Sequence, residues 1–151
     1  MKKPTLTIVT LGCSKNKVDS EHLAALLEHR YVIRHDDERR SDVVIINTCG
    51  FIGDAQEESI DTILEYAELR KQGKIKKLYV IGCLSQRFKK DLQAEIHEVD
   101  GFYGVESVNL IAADLLKEEP QQQYCSRRVL STPKHYAYLK IAEGCDKHCT
   151  Y

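Results

Sequence analysis

The sequence carries almost no net charge: 22 Lys and Arg stand against 23 Asp and Glu, leaving −1. A surface that grips nucleic acid through its phosphates shows an excess of Lys and Arg, so this balance argues against a strong nucleic-acid footprint. Short basic runs at Lys74, Lys76 and Lys77, at Lys89 and Lys90, and at Arg127 and Arg128 read as solvated faces or loops. Long apolar runs are also missing. Nothing approaches membrane-spanning length and no early apolar stretch reads as a signal peptide, so the expectation is a cytoplasmic protein with no membrane partner. Two motifs are absent as well. Without a CxxC pair a thiol oxidoreductase is disfavoured. Without GxGxxG after the first strand, so is a flavodoxin-like module that cradles a nucleotide or flavin.

What is present is an alternation of strand and helix signals along a chain of 151 residues, 42% of them hydrophobic. Thr5 to Gly12 reads as a buried strand, and a helix from about Lys17 to Arg30 follows with Leu23, Leu26 and Leu27 facing inward. Tyr31 to Ile33 is a short second strand, and Asp42 to Asn47 a strongly apolar third. Ile60, Ile63, Leu64 and Ala67 fall at i, i+3, i+4 and i+7, the stripe of an amphipathic helix that Gly73 ends. Leu78 to Ile81 is a fourth strand; Phe88, Leu92 and Ile96 mark a third helix. Phe102 to Val105 is a fifth strand, before a helix using Val108, Ile111, Ala112 and Leu115. The alternation predicts an α/β fold, an open and mostly parallel five-stranded sheet with helices on both faces, in the flavodoxin-like order 2-1-3-4-5. Asp36 to Ser41 is too short for a crossover helix, so the chain either crosses extended there or strand two runs antiparallel.

After residue 118 the texture changes. Residues 119–134, with Pro120, three glutamines and Pro133, read as a linker. His135 to Ala142 then reads as a new strand leading to Cys145, so residues 135–151 are expected to begin a second domain.

Six cysteines in a reducing compartment are not a disulfide framework, and their spacing has to explain them. Cys13 follows Leu11-Gly12, Cys49 follows Asn47-Thr48, and Cys83 follows Ile81-Gly82. Each stands at the carboxyl end of a predicted strand, the edge where open α/β sheets gather ligands. One free cysteine is as often inert packing as function; three in the same structural position are not. Wide spacing over three loops without a fourth ligand fits an iron–sulfur cluster better than structural zinc, and three ligands on a four-iron cube leave one iron open. Asn16, Asn47 and Thr48 lie beside these cysteines as candidate hydrogen-bond donors to sulfur or ligand, or as capping and turn residues. Cys125, in the predicted linker, matches no motif and reads as an exposed bystander.

The last residues read Glu143-Gly144-Cys145-Asp146-Lys147-His148-Cys149-Thr150-Tyr151. Cys145 and Cys149 with an aromatic residue two places on resemble the opening of CxxxCxΦC, the radical-SAM motif, whose third cysteine would be the next residue. A zinc site using His148 with Cys145 and Cys149 is a weaker alternative. LGCSKNKVDSE around Cys13, NTCGFI around Cys49 and IGCLSQR around Cys83 together resemble the radical-SAM methylthiotransferases over essentially the whole chain. The resemblance implies that residues 1–118 form an amino-terminal domain binding an auxiliary 4Fe-4S cluster through Cys13, Cys49 and Cys83. It further implies a second 4Fe-4S cluster at Cys145, Cys149 and the cysteine to come, binding S-adenosyl-L-methionine and needing an electron donor. CSKN and NTCGFI are similar to the branch that methylthiolates the β-carbon of an aspartate in small-subunit ribosomal protein S-twelve. The alternative branch, acting on a modified adenosine of transfer RNA, typically reads GCQMN and NTCAVR. With no barrel to supply catalytic residues, the 151-residue chain is expected to be inactive alone.

Overall fold

Strands and helices alternate as the apolar pattern predicts: β1 (Thr5–Thr10), α1 (Ser14–Leu27), β2 (Val32–His35), β3 (Ser41–Thr48), α2 (Gly53–Lys71), β4 (Ile75–Gly82), α3 (Cys83–Glu95), β5 (Gly101–Phe102) and α4 (Val108–Leu116). The computed structural model describes residues 2–35, 40–50, 53–118, 127–142, 144 and 146–150. The five strands form one sheet in the order β2-β1-β3-β4-β5, with every neighbouring pair parallel.

The central strand explains why the sheet needs two covers. Successive side chains of a strand point to opposite faces, so the unbroken run Val43–Ile46 supplies both. Val43 and Ile45 join Leu6, Ile8 and Ile81 under Leu23 and Leu27 of α1 and Ile111 of α4. Val44 and Ile46 join Val9 and Val80 under Ile63 and Tyr66 of α2 and Leu84 and Leu92 of α3. Val44, Ile45 and Ile46 are fully buried, and each contributes about 1.5–3 kcal/mol. A slip of one residue would exchange the two faces, so this burial also fixes the register.

β2 is parallel to β1, so strand two does not run antiparallel; residues 36–39 of the short link lie outside the described residues. Thr5 pairs with Val32 and Ile8 with His35, so β2 ends halfway along β1 rather than at the sheet's carboxyl edge. From there the start of β3 is only about 16 Å away across two strand spacings, within reach of six residue steps of about 3.8 Å.

Four further expectations are corrected. α1 begins at Ser14, earlier than Lys17, because the chain turns straight from Cys13 into the helix. β5 holds only Gly101–Phe102. On α2 the buried face carries Ser59, Ile63, Tyr66, Ala67 and Leu69, while Ile60 and Leu64 are 38% and 50% exposed. The stripe is turned because Tyr66, an apolar ring with a polar tip, packs inward in place of Leu64. Finally, His135–Ala142 forms no strand. No strand pairs with it among the described residues, and two of its carbonyls are taken by side chains instead, Tyr136 O by Thr132 Oγ1 and Tyr138 O by Arg128 Nη1.

Candidate functional site

β1, β3 and β4 are adjacent and in register, so their carboxyl ends lie side by side. Thr10 pairs with Asn47 and Asn47 with Ile81, which sets Cys13, Cys49 and Cys83 just beyond one edge of the sheet. Cys13 stands at the start of α1 and is exposed, Cys49 follows β3 and is buried, and Cys83 opens α3 and is half-buried. All three line one crevice of about 960 Å³, with Lys15, Asp19 and Arg87 on its walls. Burial pushes the Cys83 thiol upward, and negative charge on Cys49 and Cys13 pushes it further, against a smaller opposite pull from the Gly50 amide and Lys15. The three sulfurs therefore sense one another electrostatically.

Two glycines make the approach possible. Gly12 has φ +88°, and a Cβ there would lie 2.9 Å from Cys49 Sγ. Gly82 has φ +101°, and a Cβ there would lie 2.8 Å from Asn47 Oδ1. Both values of φ are disfavoured for residues with side chains.

The asparagines are braces. Asn16 Nδ2 donates to Asn47 Oδ1 at 3.1 Å and to Thr48 O at 2.8 Å, while Asn47 Nδ2 donates to Asn16 O at 2.8 Å and Ser20 Oγ at 3.1 Å. Their amide hydrogens thus face protein acceptors rather than sulfur; the contact between Cys13 and Asn16 runs the other way, from Sγ to Oδ1 at 3.4 Å. The Thr48 hydroxyl donates to Ile81 O at 2.7 Å, so it ties β3 to β4 and is not free to donate to a ligand. These links fasten the start of α1 to the ends of the central strands, and with them the backbone that carries Cys13 and Cys49.

Several contributors were not singled out by sequence. Ser59 of α2 takes the Cys49 amide at 3.2 Å and donates to Cys49 O at 3.0 Å, and Gln56 Nε2 donates to Gly50 O at 2.8 Å. A serine and a glutamine on a helix give no sequence signal of such contacts. Asp19 of α1 also lines the crevice. Cys149 is exposed and does not line the crevice; Cys125 and Cys145 lie outside the described residues.

The chain, a doubly wound sheet with three cysteines on neighbouring strand ends, belongs to the family described as Uncharacterized protein family UPF0004, whose model matches residues 5–104, an amino-terminal domain of methylthiotransferases. Over its full length the chain is 54% identical to the Ribosomal protein uS12 methylthiotransferase RimO of Phocaeicola vulgatus, of which it covers 35%. It is 52% identical to the protein of that name from Bacteroides thetaiotaomicron, again over 35% of that protein, and 46% identical to the one from Cytophaga hutchinsonii. The chain thus spans about a third of the length of these curated relatives.

Proposed function

We propose that the chain is the amino-terminal, cluster-binding part of a cytoplasmic radical-SAM methylthiotransferase that acts on the β-carbon of an aspartate of ribosomal protein S-twelve. The observation that carries this reading is the meeting of Cys13, Cys49 and Cys83 in one crevice at three strand ends. The substrate follows the relatives' names, which favour the ribosomal protein over transfer RNA.

The donor set fits a 4Fe-4S cluster. Cysteine thiolates are its usual protein ligands, and Cys13, Cys49 and Cys83 line one crevice with Lys15 and Arg87 on its walls. Among the described residues no three His, Cys, Asp or Glu converge as a lone metal ion requires. Thiolates on separate irons of a cube need not meet at a point. Cys13, Cys49 and Cys83 would hold such a cluster, and the chemistry it would supply there is the sulfur of the methylthio group.

The chain's own residues prepare that site. Gly12 and Gly82 let the backbones close on Cys49 and Asn47. Asn16 and Asn47 hold the Cys13 turn against β3, and Ser59 fixes the Cys49 peptide from both sides. Lys15 and Arg87 bring positive charge to the wall of a crevice that gathers thiolates. Cys145 and Cys149 would help hold the second cluster, whose chemistry there would be the binding and one-electron reduction of S-adenosyl-L-methionine with an electron from a donor protein.

Anaerobic reconstitution of the 151-residue chain with iron and sulfide tests the reading. A broad brown absorbance is expected, with about four irons per chain that depend on Cys13, Cys49 and Cys83. Alanine at any one of the three should remove most of that iron, whereas Cys125→Ser should leave it unchanged. A colourless chain, or one that keeps its iron without all three thiols, would overturn it. Methylthiolation of S-twelve, and not of transfer RNA, by the full-length protein tests the substrate.

A further inference from the structure

α1 is buried on more sides than a helix packed on a sheet requires. One side lies on the sheet and another meets α4, yet Glu21 and His22 are buried as well, Glu21 completely. An ionised carboxylate withdrawn from water costs several kcal/mol unless donors answer it. Among the described residues, the groups that face the Glu21 carboxylate come from one distant segment. Ser131 gives both its amide and its hydroxyl to Glu21 Oε1 at 2.9 Å, while Oε2 accepts no hydrogen bond among the described residues and is answered by the charge of Arg128, whose Nε forms an ion pair with it at 3.7 Å. Around this point Val129 N donates to Glu21 O at 3.1 Å, and His22 Nδ1 bonds Arg127 O at 3.1 Å. Arg127 also pairs with Glu28, and Val129 packs onto the core beneath.

The same segment then returns toward the cysteines. Arg128, held at Glu21, donates through Nη1 to Tyr138 O at 2.6 Å, so one guanidinium joins the outgoing limb to the returning one. Two residues on, Lys140 Nζ donates to Asp19 Oδ1 at 2.7 Å, with both side chains largely buried. Asp19 lines the crevice of Cys13, Cys49 and Cys83.

We infer that residues 127–140 are a latch, with Glu21 holding its root and Asp19 its tip, that fixes how the following segment approaches the cysteine crevice. The geometric consequence is large. Cys149 lies 33 residues beyond Leu116, a reach of about 110 Å for an untethered chain, but nine beyond Lys140, a reach of about 30 Å. The latch keeps the segment bearing Cys149 close to the rim and sets a compensated ion pair, Lys140 with Asp19, beside the three thiols. Only the meaning of what the latch faces rests on the proposed function; the latch itself stands on its contacts.

Hydrogen exchange on the iron-free full chain tests it directly. The Val129 and Ser131 amides should be protected, and Glu21→Ala should speed their exchange at least tenfold while the β3 amides keep theirs. Glu21→Gln, which keeps an acceptor and loses the charge, should fall between. If Glu21→Ala does not fold, Arg128→Ala reads the same opening. Free-peptide exchange at Ser131 in the unaltered chain, or no change in a folded variant, overturns the latch. In the reconstituted chain Lys140→Met should lower the cluster's midpoint potential by leaving Asp19 uncompensated, and Asp19→Asn added to it should restore most of the change. An unmoved potential would remove the tip from the proposal. Failure to bind iron would sink the proposed function, and exchange would still decide the latch.

Discussion

At Gly12 a single hydrogen atom separates two strand-end loops. The residue combines a left-handed φ of +88° with a neighbour, Cys49, whose sulfur would sit 2.9 Å from any added Cβ. Cys49 cannot retreat easily, since Ser59 holds its amide and its carbonyl. Gly12→Ala therefore adds backbone strain of about 1–2 kcal/mol to a steric clash at a proposed ligand. The expected outcome is a folded but less stable chain that takes up far less iron on reconstitution, measured as iron per chain beside the unfolding midpoint. Gly53→Ala is the control, because nothing lies within 4 Å of a Cβ there. At this scale the sequence was partly legible. The three cysteines could be picked out by their place after apolar runs, whereas the close approach that Gly12 and Gly82 permit could not, because it depends on which strands lie side by side. The roles of Asn16, Asn47 and Thr48 could not, since an amide or hydroxyl beside a cysteine can face the ligand or the backbone with equal chemistry, and only packing decides.

Among the elements, β1, β3 and β4 are tied at both ends. Cysteines mark their carboxyl ends, and at the amino end Asp42 of β3 accepts the Thr5 amide of β1 at 2.8 Å and Lys76 of β4 at 2.7 Å. The Lys76 ammonium, then the Thr5 amide, hold the Asp42 carboxyl down at about 2. Because the folded value lies below the unfolded one, the stabilisation is complete above about pH 4 and is lost as pH falls through about 2. Lys76 is 77% exposed, so solvent screening limits the effect to the order of 1 kcal/mol. Asp42→Asn should lower stability at pH 6 by about that amount and flatten its acid dependence between pH 4 and 2, as read by urea unfolding across that range. The elements were the most legible level, because periodicity reports burial directly. Where it failed, a competing demand explains it. The α2 stripe rests on aliphatic residues and so leaves out Tyr66, and the strand expected at His135–Ala142 has alternation but pairs with no strand among the described residues.

For the molecule as a whole, the three thiols are separated by long stretches of chain: 49 − 13 gives 36 residues and 83 − 49 gives 34. An unfolded chain must close both loops before its sulfurs can share a cluster, and closing a loop of this size costs about 3–4 kcal/mol. The folded sheet has already brought them to one crevice. A cluster therefore binds the folded state far more tightly than the unfolded one, and ligand binding of that kind stabilises by mass action. With about 2–4 °C gained per kcal/mol for a chain of this size, the reconstituted protein should melt at least about 10 °C above its iron-free form under anaerobic conditions. The same comparison in Cys49→Ala should show a small difference or none, since it removes the middle ligand of the three. Equal melting temperatures for loaded and iron-free protein would mean that the iron is held at the surface by thiols the fold has not gathered, and the crevice would lose its claim to the cluster.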